Sequence, residues 1–171
     1  KISFYESTTI QGSGSLSTVI YSTYNGNVFE SQPGASYGLY GVRISDLAIV
    51  GSRSLTSQVG LALLRPVNCL FSNIVVDSCG SDGILVREGG ISHFINVVSI
   101  KNVGHGFHID GGISSWATPT PTNLPSNSLS MINCHGAFND GAGIYLGLTG
   151  TGGVNGLSCR SGVFEYNYYS S

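Results

Sequence analysis

An all-β chain of stacked parallel units is predicted by three repeating columns of residues. The first column is Gly60-Leu61-Ala62-Leu63, Gly83-Ile84-Leu85-Val86 and Gly106-Phe107-His108-Ile109, evenly spaced, with Gly143-Ile144-Tyr145-Leu146 arriving after a longer interval. The second is Phe71, Phe94 and Met131, each twelve places before its glycine, and the third is Asn73, Asn96 and Asn133, each ten places before. A fixed period of this size belongs to structural units that bury their apolar edges only against the next unit. Short runs of Val, Ile, Leu and Phe alternate with period two between Gly, Asn, Ser and Asp, and no window carries a helical stripe, so the units are strands. Asparagine tolerates left-handed backbone and bonds through its amide, which makes the Asn column a corner, expected to be buried. Strand, Asn corner, strand, Gly-rich corner, strand is the pattern of a right-handed parallel β-helix, a solenoid of roughly 23 residues per coil.

Taken in order, residues 1–36 read as irregular first coils. They hold the β-prone runs Ile2–Tyr5, Thr18–Tyr21 and Asn27–Phe29, with Gly12-Ser13-Gly14 and Asn25-Gly26 as turns between them. Gly12-Ser13-Gly14 lacks the third glycine and the following helix of a dinucleotide fingerprint. Regular coils occupy 37–171. Asp46 takes the corner place that Asn73 and Asn96 hold later, and about four extra residues, Ser52 to Leu55, delay the next glycine. The coils from Gly60 to His105 carry no insertion. A 14-residue insertion then falls at about 111–127, with Trp116 and Pro119, Pro121 and Pro125, and a shorter one follows the strand after Gly143 at the same corner. The prolines predict a stiff, extended loop. The chain reads as one domain, 1–171, and because it opens and closes in mid-pattern it is expected to be a fragment of a longer protein.

Composition excludes several classes of function. Charged residues are 9% of the chain and the net charge is -2, which leaves no basic stripe for nucleic acid. No apolar run approaches the ~20 residues that cross a bilayer, and Lys1-Ile2-Ser3-Phe4 does not begin an apolar leader. Cys69, Cys79, Cys134 and Cys159 form no Cys-x-x-Cys and have no histidines at ligand spacing, so they predict small buried thiols rather than a metal site. Cys134 aligns with inward positions. No cofactor-binding pattern is present, and neither is a tight cluster of acidic residues for Ca²⁺.

Alternation sorts the glycine-led strands. The residue after each glycine and the one two further on point inward, which sends Ala62, Leu85, His108 and Tyr145 outward in one column and Leu64, Arg87, Asp110 and Gly147 in the next. Arg87 and Asp110 fall on adjacent rungs with His108 on the same face. Asp82 and His105, just before their glycines, stand at one rim, with Glu88 and the Trp116 loop at the other. This is the densest group of ionisable side chains in the sequence, and Tyr145 and Trp116 supply apolar faces suited to a sugar ring. The same residues also read as a surface ion pair worth ~0–1 kcal/mol beside ordinary turn chemistry. His93 and His135 are expected to be solvated. A second outward column, Ala48, Val75 and Val98 with Leu70 and Ile95 nearby, is apolar.

The chain resembles the pectate-lyase-like family, and within it phage tailspike and depolymerase β-helices. The resemblance rests on Thr9-Ile10-Gln11-Gly12-Ser13-Gly14 with Thr18-Val19-Ile20, on Val42-x-Ile44-x-Asp46-Leu47-x-Ile49-x-Gly51, and on the Asn and Gly columns. It implies recognition of a cell-surface or capsular polysaccharide, with or without its cleavage, on a virion tail or otherwise outside the cell. Homotrimers packed through the Ala48, Val75, Val98 side are implied too. A hydrolase of this kind would pair Asp110 with Asp82 or Glu88, ~5–9.5 Å apart. A metal-independent lyase would use His108 as base and Arg87 to hold a uronate carboxylate. In either, Arg87, His105, Tyr145 and Trp116 would bind substrate. The alternative is a non-catalytic structural or receptor-binding fibre, since the fold hosts both.

Overall fold

The computed structural model describes residues 1–32, 38–111, 126–147 and 153–167. Among these the chain forms twenty strands and no helix, and every strand pair is parallel. Two larger sheets carry the architecture. The six-stranded one runs Ile2–Phe4, Phe29–Ser31, Leu61–Leu64, Ile84–Arg87, Phe107–Asp110 and Ile144–Gly147 in spatial order. The ten-stranded one is centred on Arg43–Val50 and Leu70–Asp77. Residues before 37 therefore contribute strands to both sheets, in register with later rungs. Of the large insertion, 112–125 lies outside the described residues, whereas Ser126–Asn127 pairs with Val154–Asn155.

The register reproduces the sequence columns. Leu61, Ile84, Phe107 and Ile144 are partners on successive strands, as are Ile44, Phe71, Phe94, Met131 and Cys159. Both columns supply one continuous core, in which Phe71 and Phe94 stack with centroids 4.9 Å apart. Each fully buried Leu, Ile or Phe adds about 1.5–3 kcal/mol, so the columns are the main source of stability. Cys69, Cys79 and Cys134 lie in this core as free thiols, and burial pushes the Cys79 thiol up to about 12. Cys159 is exposed on the last described strand of its column.

The Asn corner is built as a ladder. Asp46, Asn73, Asn96, Asn133 and Ser161 all have left-handed backbone, with φ between 53° and 61°. Asn96 Nδ2 donates to Asn73 Oδ1 at 3.0 Å, and Asn133 Nδ2 to Asn96 Oδ1 at 3.2 Å. Asn73 Nδ2 ends the series on Asp46 Oδ1 at 2.8 Å. That bond comes first among the causes holding the Asp46 carboxyl below its usual range, and a second comes from the Ser45 hydroxyl. The asparagine side of this ladder is solvent-exposed, which corrects the expectation of a buried corner. A buried ladder exists six residues further on, from Asn96 to Asn102 and from Asn133 to Asn139. Asn102 and Asn139 are both fully buried. Asn102 Nδ2 donates to Asn139 Oδ1, and Asn139 Nδ2 to Asn167 Oδ1, both at 2.9 Å.

The difference in burial fixes the expected cost of breaking each ladder. Asn96→Ala should destabilise by about 0.5–1.5 kcal/mol, an ordinary net hydrogen bond with water free to replace it. Asn139→Ala should cost about 1–3 kcal/mol more than that, because buried backbone groups lose their partner. Urea denaturation of both variants decides the order, and equal losses would contradict it.

Candidate functional site

The glycine-led strands bring the ionisable residues together as their register requires. Arg87 pairs with Asp110, Leu85 with His108, His108 with Tyr145, and Asp110 with Gly147. The face is not uniformly open. Ala62 and Leu85, expected outside, are buried and form a small apolar cluster with Val59. Leu64 is buried as well, and its amide donates to the Ser31 hydroxyl at 2.7 Å. Ala62 and Leu85 thus separate two polar stretches of this column, Glu30 paired with Lys1 on one side and the rungs from Asp82 to Gly147 on the other.

Asp82 is the hinge of this cluster. It sits in the turn before Gly83, and its two carboxylate oxygens reach one rung onward. Oδ1 accepts from the His105 amide at 2.8 Å, and Oδ2 meets His108 Nδ1 at 2.7 Å. Burial works against a charge on Asp82, but the His108 bond and the His105 amide outweigh it and hold the carboxyl below its usual range. An ionised carboxylate only accepts, so His108 Nδ1 carries the hydrogen and the neutral ring leaves Nε2 bare. Ala142 N–H, from the turn one rung further, donates to His105 Nδ1 at 2.9 Å. Burial lowers the His105 pKa, with the Asp82 charge opposing. His105 stacks on Tyr145, centroids 4.4 Å apart and planes 6° from parallel, and His108 stands edge-on to both rings.

Asp110 joins from the same strand as His108. A Cβ placed on Gly147 would lie 2.9 Å from Asp110 Oδ1 and 3.3 Å from His108 Nε2, so both atoms lean onto one spot above that glycine. Asp110 is buried, and its carbonyl accepts from the Ser126 hydroxyl at 2.8 Å.

Glu88 does not join the group. Its side chain has no exposure, and its Oε2 accepts from Arg65 Nε at 2.5 Å in a buried ion pair. Glu88, expected to edge the groove as a catalytic carboxylate, is placed beneath the surface, where a charge balanced inside the fold is held from solvent by the cost of separating the pair. Its partner is readable in the sequence, since Arg65 precedes Glu88 by one full period of the glycine column. Trp116 lies outside the described residues. His93 is exposed as expected, but His135 is half-buried, with an Nε2 that has no hydrogen-bond partner. The contributions missed by strand alternation are the Ala142 amide and Gly147, which act through backbone and vacant space.

No protein-family model matches the chain, and no curated protein sequence matches it. Two solved structures are similar. The ORF18 protein of Geobacillus virus E2 superposes with a TM-score of 0.74 at 25% identity, over 91% of this chain and 31% of that one. The A-module of mannuronan C-5 epimerase AlgE4 from Azotobacter vinelandii gives a TM-score of 0.52 at 18% identity, over 92% of this chain and 53% of that one. This chain spans less than two thirds of either. The second likeness is one of fold. Together they place the all-parallel architecture beside a phage protein and a polysaccharide-acting module.

Acid should loosen this cluster in two steps. His105 has a lowered folded pKa, so the unfolded chain takes up its proton first, and stability falls as pH drops below the ordinary histidine value of 6.5. Asp82 also has a lowered folded pKa, and its contribution, complete above the ordinary carboxylate value of 3.8, is lost as pH falls through the folded one. Melting temperatures from pH 8 to pH 3 should fall through both windows, and Asp82→Asn should flatten the lower one. A lower step unchanged in Asp82→Asn would contradict the assignment.

Proposed function

We propose that the chain is a right-handed parallel β-helix, completing one coil per period of the glycine column where no insertion intervenes, and that it binds and cleaves a cell-surface or capsular polysaccharide. The observation that carries this reading is the convergence of His108 Nε2 and Asp110 Oδ1 beside the Tyr145 ring, with Asp82 holding His108 in place. A carboxylate-held imidazole beside a second carboxyl group is an acid–base centre, and an aromatic face next to it suits the apolar side of a sugar ring. Arg87 and His105 complete the binding floor, with Trp116 as a further contact. A place on a virion tail or elsewhere outside the cell goes with the likeness to a phage protein.

Asp110→Asn should abolish turnover and leave binding nearly intact, since the amide keeps the shape and loses the proton chemistry. Tyr145→Ala should weaken binding by ~1 kcal/mol or more. A panel of bacterial capsule and lipopolysaccharide preparations, assayed for binding and for new reducing ends, supplies the measurement. An unsaturated product marks a lyase, and a new reducing end alone marks a hydrolase. Binding without turnover by the unaltered chain leaves the receptor-binding fibre as the function.

Assembly as a homotrimer belongs to the same proposal. Ala48, Val75 and Val98 are register partners in one column, and Val75 and Val98 keep part of their surface in solvent. Three such columns facing one another would bury it. Val98→Asp should then give monomers in sedimentation velocity, and an unaltered chain that sediments as a monomer at micromolar concentration would contradict the trimer.

A further inference from the structure

Two histidines of the site are fixed by partners of opposite kind. His108 Nδ1 faces a carboxylate oxygen of Asp82, an acceptor, and His105 Nδ1 faces the Ala142 amide, a donor, at 2.7 and 2.9 Å. The first partner demands a hydrogen on Nδ1 and the second forbids one. Neutral His108 therefore carries a bare Nε2, whereas neutral His105 carries Nε2–H. Both Nδ1 positions are occupied, which leaves Nε2 of each ring as the nitrogen available to a ligand.

The next rung serves as the template for this arrangement. Gly141 leaves room for His105, because a Cβ there would lie 2.6 Å from its Nδ1. Ala142 supplies the amide, Tyr145 the stacking face, and Gly147 the room for His108 Nε2 and Asp110 Oδ1. Both imidazoles share one aromatic neighbour, with their own centroids 5.4 Å apart.

We propose that His105 and His108 form a matched donor–acceptor pair that reads neighbouring hydroxyl groups of a neutral sugar, His108 Nε2 accepting from one hydroxyl and His105 Nε2–H donating to the next oxygen. This rests on the saccharide reading of the same face and narrows its ligand. A neutral ligand fits the charges at hand, since Asp82 and Asp110 both border the site and Arg87 is the cation in register with Asp110. An anionic sugar would meet two carboxylates there. Hydroxyls, which donate and accept at once, satisfy both ring nitrogens without altering either tautomer.

The test uses the whole chain and does not require the natural ligand to be identified. Nitrogen-15 spectra of the imidazoles at pH 7.5 should show His108 protonated at Nδ1 and His105 at Nε2. The same tautomer on both rings, or a mixture on either, overturns the proposal. The chain is then titrated with two probes, a hydrolysate of neutral mannan, galactan and glucan, and mannuronan oligosaccharides. Shifts of both Nε2 signals with the neutral hydrolysate support the proposal, and His105→Phe, which keeps a ring against Tyr145 but has no donor, should weaken that binding at least tenfold. Shifts with mannuronan alone overturn the neutral-sugar inference and leave the saccharide reading standing. Shifts with neither probe overturn the inference, and the broader capsule panel then decides the reading beneath it.

Discussion

Left-handed backbone at equivalent positions of successive parallel strands, from Asp46 through Asn73, Asn96 and Asn133 to Ser161, is the constraint on which the other features depend. A non-glycine residue in that region costs about 1–2 kcal/mol relative to right-handed backbone, so each corner needs a residue that recovers it locally. Asn73, Asn96 and Asn133 do so by bonding side chain to side chain along the stack, with Asp46 as the acceptor that ends the series. Once those corners coincide, the strands on either side have no freedom of register. A slip of one residue would turn Phe107 and Ile109 outward and carry His108 and Asp110 into the core. The site therefore inherits its geometry from a ladder on a different corner of the same rungs.

Within the site, each functional group is set by a neighbour one rung away rather than by its own strand. Asp82 lies in a turn, and the groups it holds are the amide of His105 and the ring of His108 on the following rung. His105 in turn is held by Ala142 on the rung after that. Strand spacing in a parallel stack is about 4.8 Å, a single side chain's reach. A stack of this kind can thus align three successive turns into one polar line without any residue leaving its ordinary turn conformation. The buried pair of Arg65 and Glu88 follows the same rule and gives a different result. There both partners point where no solvent reaches, and the pair balances charge inside the fold.

The columns were legible because they repeat in hydropathy and spacing together. That is why the pairing of Arg87 with Asp110 and of His108 with Tyr145 could be written down from the sequence alone. The buried amide series was illegible for a physical reason. Asn102 and Asn139 each lie two places before a glycine, where an asparagine is expected anyway, and nothing in composition separates a buried amide from a solvated one. The intervals from Cys79 to Asn102 to Asn139 nonetheless repeat those of the glycine column. The burial of Ala62 and Leu85 was unreadable in another way. Alternation says which side of the sheet a residue takes but not what covers that side. The burial of Glu88 was unreadable for the same reason, since its position at the strand end fits a groove edge and says nothing of Arg65 against it.

Aromatic stacking along the rungs does not by itself mark a site in this fold. Phe138 and Tyr166 stack with centroids 5.4 Å apart and planes 5° from parallel, almost the geometry of His105 on Tyr145. Both have left-handed backbone, which a bulky side chain rarely adopts, and both are largely exposed. Ring contact of about 0.5–1.5 kcal/mol offsets the backbone cost there, doing for that corner what amides do for the Asn corner. Lys101 precedes them in the same column, also left-handed, so the corner tolerates several solutions. What separates His105 and Tyr145 from this pair is polarity with a direction. One ring nitrogen of His105 accepts from a backbone donor, and a carboxylate ties the neighbouring imidazole in the opposite sense. The Phe138–Tyr166 stack has no such asymmetry, because neither ring carries a nitrogen.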